Sequence, residues 1–210
     1  MNKNIKFLLI IILFGALWGI AEATLGYLLH LIPGGFTGIF MFPIGFYFMH
    51  KAYKSTGEHK AIIYTATIAA TIKLVDLLLP IRSPMTVLNP ATAIILESIV
   101  AYAVMRLINE KYHYATGFTA GFAWIFLFPI MQKFIFRPNM GLYLTELPMI
   151  ALRIGLNTIV SGFLIGLYLK YQNQKILNFN FITHTEKMRY IKPTFVLALA
   201  VFFEIGNTLI

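Results

Sequence analysis

Seven ionisable side chains stand inside long apolar runs of this sequence: Glu22, Lys73, Asp76, Glu97, Lys133, Arg153 and Glu204. His30, Asn89, Asn157 and Asn207 keep them polar company. A charge inside a bilayer costs about 2.5–3.5 kcal/mol on insertion scales, so each needs a reason. Helical spacing sorts them into faces. Lys73 and Asp76 are three apart and can pair. Asn89, Ala93 and Glu97 step by four along a second face, Arg153, Asn157 and Ser161 along a third, and Trp18, Glu22, Gly26 and His30 along a fourth. Carboxylates, a guanidinium and carboxamides on several helices are equipment for holding a polar solute. The candidate binding set is Glu22, Lys73, Asp76, Asn89, Glu97, Trp124, Arg153 and Asn157. For Lys73 and Asp76 a purely structural ion pair is the competing reading. Lys133 and Arg153 are long enough to snorkel to an interface without binding anything. Glu22 and Glu97 sit too deep for that.

The elements that carry these residues follow from composition. Of the 210 residues, 59% are apolar and 12% charged, with a mean hydropathy of +0.76. Soluble domains run about 45–50% apolar and about 25% charged, so a water-facing surface has nowhere to put the surplus. The fold expected is all-α: a polytopic helical membrane protein of six to seven spans. They are Ile5–Leu31, Thr37–Met49, Ala61–Leu79, Val87–Leu107, Thr116–Phe136, Met149–Leu169 and Thr194–Ile210. Seven spans of about 20 residues take up about 140, which leaves no room for a second, soluble domain. Residues 1–171 are read as a six-helix core, 172–193 as a basic cytoplasmic linker and 194–210 as a seventh transmembrane helix. Ile176–Ile182 in the linker suits the membrane surface. The first run carries a small-residue pattern, Ala21-Glu22-Ala23, but continues apolar past it, which favours a retained helix over a cleaved signal.

Lysine and arginine set the orientation, because cytoplasmic loops are enriched in both. With the N-terminus inside, twelve of the 17 basic residues fall in inside segments and only Arg82 and Arg137 in outside loops. The net charge of +9 is thus mostly an orientation signal, with no call for nucleic acid. The protein is expected in the cell membrane as a multi-pass chain. In that topology Glu22, Lys73, Asp76, Asn89, Arg153, Asn157 and Glu204 lie from mid-membrane outward, and Glu97 is central. A cavity open to the outside fits this one-sided cluster better than a through-going channel.

Pro43 and Pro129 fall inside spans, where each removes a donor and frees a carbonyl one turn back, at Ile39 and Ile125. Broken helices at membrane depth are tolerated where they are buried in protein or line a cavity. Trp18, Tyr27, Phe40, Trp124 and Phe128 stand near these points and could stack on a planar ligand. The chain has no cysteine, no phosphate-binding G-x-x-x-x-G-K-[ST], no H-E-x-x-H and no G-x-S-x-G. No metal site or cofactor is expected, and any energised transport must draw on an ion gradient or a separate ATPase. Gly15, Gly19 and Ala23 form a small-residue ladder that lets another helix approach closely.

These features together resemble the substrate-binding S components of energy-coupling-factor vitamin transporters: small, basic, six-helix membrane proteins without a nucleotide motif of their own. The resemblance spans about Met1–Tyr171 and lies in architecture: an inside N-terminus, an outer pocket and the first-helix ladder. It implies capture of a small polar or vitamin-like solute from outside, for uptake driven by an ATPase pair through a membrane coupling subunit. Gly15, Gly19 and Ala23 would contact that subunit. Arg153 and Lys73 would hold an anionic group, Glu97 and Asn89 would hydrogen-bond, and Trp124 would stack. The span at Thr194–Ile210 departs from the six-helix pattern. Two rivals stand beside this reading. One is an intramembrane enzyme acting on lipid or polyprenyl substrates through Glu22, Asp76 and Glu97. The other is an ion-gradient-driven carrier with Glu97 or Asp76 as the proton site.

Overall fold

A computed structural model describes residues 3–30, 37–81, 83–108, 111–136, 144, 146–172 and 186–209. Ile176–Ile182, Arg82 and Arg137 lie outside the described residues. The chain runs as α1 (Lys3–Ala21), a π-helical turn (Glu22–Gly26), α2 (Tyr27–His30), α3 (Thr37–Thr56), α4 (Lys60–Leu74) and a 3₁₀ turn (Val75–Leu78). Then follow α5 (Met85–Leu107), α6 (His113–Met131), a second π turn (Gln132–Phe136), α7 (Leu147–Tyr171) and α8 (Glu186–Leu209). No strand occurs among the described residues. The all-α expectation holds.

Among the described residues, five segments are long and apolar enough to cross a membrane: Lys3–Leu29, Lys60–Leu78, Met85–Leu107, His113–Ile135 and Leu147–Tyr171. The helices are apolar on their outer faces too. Leu78, Leu107, Phe126, Ile159, Phe163 and Phe202 all point away from the bundle. Helices apolar all round belong in lipid, and the chain is a multi-pass membrane protein.

Local signals explain where the helices stop. Gly57, at φ +73°, ends α3 in the left-handed conformation, its N–H reaching the Tyr53 carbonyl at 2.7 Å. Pro148 falls in the first turn of α7, where a missing N–H costs nothing. Two helices outrun their hydropathy. α3 continues through Lys51 and Lys54 to Thr56, and α8 starts at Glu186, eight residues before the expected span and inside the stretch read as linker. Charge excludes a residue from hydrocarbon but not from a helix, so apolar runs understate helix length.

Trp18, Phe42, Phe46, Met49, Ile62 and Ile94 fill the middle of the bundle, fully buried. α4 presents Ala61, Ala66, Ala69 and Ala70 inward and so lies close to its neighbours. α6 and α7 meet through Gly117-x-x-x-Gly121 and Gly162-x-x-x-Gly166, where backbones touch; a Cβ on Gly162 would sit 2.7 Å from Phe118 Cα. Small residues at this spacing let membrane helices pack by direct contact. α8 lies across α1 and α4, with Ala16, Ile72 and Ala200 at the seam.

Candidate solute cavity

One cavity of about 550 Å³ lies between the π turn after α1 and helices α3, α5, α6 and α7. Its lining comes from the π turns that follow α1 and α6, from α6 itself and from the earlier parts of α3, α5 and α7, with Glu22, Gly38, Asn89, Gln132 and Arg153 among them. Successive helices run in opposite directions, so these positions share one end of the bundle. The lysines at 51, 54, 60 and 170 mark the other.

Six of the eight expected binding residues line it: Glu22, Asn89, Glu97, Trp124, Arg153 and Asn157. Glu22 is delivered by the π turn, a widened loop of helix that recurs at functional sites. Trp18 Nε1 donates to Glu22 Oε1 at 3.2 Å. Glu97 is 3% exposed, and its Oε2 has no hydrogen-bond partner among the described residues. Gly45 makes this placement possible, since a Cβ there would sit 2.5 Å from the Trp18 ring and 3.0 Å from Glu97 Oε2. Trp124 forms the aromatic wall. Its ring stacks between Phe42 and Phe128, with centroids 5.5 and 5.4 Å away and planes tilted by 16° and 13°. Gly38 gives it room, because a methyl there would run into the indole.

Lys73 and Asp76 stand elsewhere. Lys73 Nζ lies 3.0 Å from Asp76 Oδ2 and also pairs with Glu204 of α8, outside the cavity lining. Lys73 thus does not line the cavity, and it forms the ion pair with Asp76 that the spacing of three allows. The reason is α8: its Glu204 competes for the ammonium, and its Asn207 side chain donates to the Ala23 carbonyl. The ladder on α1 is also filled from within. A Cβ on Gly15 would sit 2.6 Å from Ile68, and one on Gly19 2.8 Å from Ile72. Both faces pack on α4, and Ala23 is buried.

Two contributors escaped the sequence reading. Gln132 Nε2 donates to Asn89 Oδ1 at 2.9 Å, tying the π turn after Pro129 to α5. An amide three residues past an intramembrane proline is its signal in the sequence; its charged neighbour Lys133 is exposed. Gly45 had no signal at all, because the value of a missing side chain depends on what packs against it. No protein-family model, curated protein or solved structure matches this chain.

Proposed function

We propose that this chain is the membrane-embedded binding subunit of an ATP-driven uptake system. In this reading it sits in the cell membrane with its N-terminus in the cytoplasm and captures a small polar or vitamin-like solute from outside. It then works with a membrane coupling subunit and a pair of ATPases. α3 and α8 cross the membrane with the five more apolar helices, giving seven spans. For α3 the support is its core position, with Phe42 and Phe46 buried among its neighbours. The carrying observation is the cavity: six candidate binding residues converge at the bundle end remote from the lysine-rich loops, the end that the positive-inside bias turns outward. Its volume is in the range of small-molecule sites. With Gly15 and Gly19 already packed on α4, a coupling subunit would meet other faces of the bundle.

A second reading draws on Glu22 and Glu97 sharing one cavity: paired carboxyls can serve acid–base chemistry on a lipid or polyprenyl substrate. Gentle detergent purification from the native host separates the two. The binding reading expects a coupling subunit and two ATPases in the eluate, and a small molecule released unchanged on denaturation. Purification alone, with turnover of added lipid, would overturn it. Uptake driven by a pH step without ATP would point instead to a carrier.

A further inference from the structure

Resting on that reading of the cavity as a solute site, we infer that its ligand is an organic cation with a flat ring. Of the two cations expected to hold an anion, Lys73 is committed to Asp76 and Glu204 outside the cavity. The lining keeps one cation, Arg153, against two carboxyls, Glu22 and Glu97. A positively charged solute gives Glu22 and Glu97 a counter-charge, whereas an anion has only Arg153 to meet it. Arg153 forms no ion pair among the described residues, so neither carboxyl is already neutralised by it.

Hydrogen bonding points the same way. About nine in ten buried polar groups in folded proteins have a partner, yet Glu97 Oε2 has none among the described residues. Facing a cation, that oxygen accepts an N–H or O–H from it, and the Trp124 Nε1–H, equally without a partner among the described residues, donates to an acceptor on the same ligand. Phe128, stacked on Trp124 and part of the cavity lining, supplies an aromatic wall. Such a wall favours flat rings, and favours cations over their neutral counterparts. A ring carrying an amidinium or protonated amine meets both demands.

Benzamidinium, benzamide and benzoate share one ring and differ in charge, and serve as probes on the purified full-length chain in mild detergent. Binding is read from the shift of thermal unfolding with probe concentration. Benzamidinium is expected to act at a concentration at least about tenfold below benzamide, with benzoate inactive. Glu97→Gln is expected to weaken benzamidinium about ten- to a hundredfold while sparing benzamide. If Glu97→Gln fails to fold, Arg153→Gln is read instead and should strengthen benzamidinium. Benzoate binding as well as benzamidinium overturns the cation inference and leaves the solute site standing. Silence from all three overturns both.

Discussion

Ser161 Oγ lies 2.7 Å from the main-chain carbonyl of Ile39, a residue on a different helix. That carbonyl is the one Pro43 leaves without a helical donor, because proline has no N–H to send one turn back. Asn157 Oδ1 is 3.1 Å from the same hydroxyl, but a hydroxyl has one proton and the carbonyl is nearer. So the break in α3 is repaired from α7 beside the cavity, and the two helices are held in register there.

Ser161→Ala is therefore expected to strand a buried carbonyl and cost about 1–3 kcal/mol. Pro43→Ala restores a donor within α3, so Ser161→Ala should cost less in that background. A double-mutant cycle on unfolding in detergent measures the difference; equal costs in both backgrounds would sever the link between these residues.

How much of this was legible in the sequence depends on whether a feature is local. Pro43 freeing Ile39 was readable, since proline acts on its own helix; that Ser161 answers it was not, since it needs the α3–α7 packing. Glu97 and Glu22 were singled out because carboxyls deep in an apolar run stand out by type alone. The Lys73–Asp76 pair is readable from a spacing of three, whereas Glu204 is far along the chain and reaches Lys73 only through the fold. The glycine pairs of α6 and α7 and the room made by Gly45 depend on what lies opposite.

Glu97 is expected to be kept for binding at some expense in stability. A buried carboxyl oxygen without a partner is destabilising, so Glu97→Gln should leave the ligand-free protein as stable as before or raise its unfolding temperature. Loss of binding together with a gain or no change in stability is the pattern that marks a binding residue. A large destabilisation would make Glu97 a structural group instead.

Lys73 holds Asp76, 2% exposed, and Glu204, equally buried, at the α4–α8 seam. Lys73→Met takes the cation from two buried carboxyls and is expected to cost about 3–5 kcal/mol. Adding Glu204→Leu removes one of these two carboxyls and should recover part of that loss. Unfolding of the single and double variants in detergent checks it. A double variant worse than the single would mean that Glu204 has a second role.

The turn between α3 and α4 carries an acid-sensitive contact. Hydrogen bonds from Lys60 and Lys3 hold the Glu58 carboxyl below its ordinary value of 4.5, with nitrogens at 2.9 and 3.2 Å. The folded value is the lower one, so the stabilisation is fully present above the ordinary carboxylate range and fades as pH falls through the folded value. Glu58→Gln should lower the unfolding temperature slightly at neutral pH and not at strongly acid pH. Added salt should shrink the difference. A variant effect that grows on acidification would contradict the assignment.

The central claim is that the cavity faces the outside of the cell, and thiol labelling in intact cells tests it most directly. The chain has no cysteine of its own, so a single introduced thiol reports alone. Ala93→Cys places it in the cavity lining, and Tyr112→Cys places one on the exposed turn before α6 at the opposite end. A membrane-impermeant thiol reagent is expected to label Ala93→Cys in intact cells and Tyr112→Cys only after the cells are opened. Labelling of Tyr112→Cys from outside, with Ala93→Cys reached only in opened cells, would turn the molecule over and contradict the account.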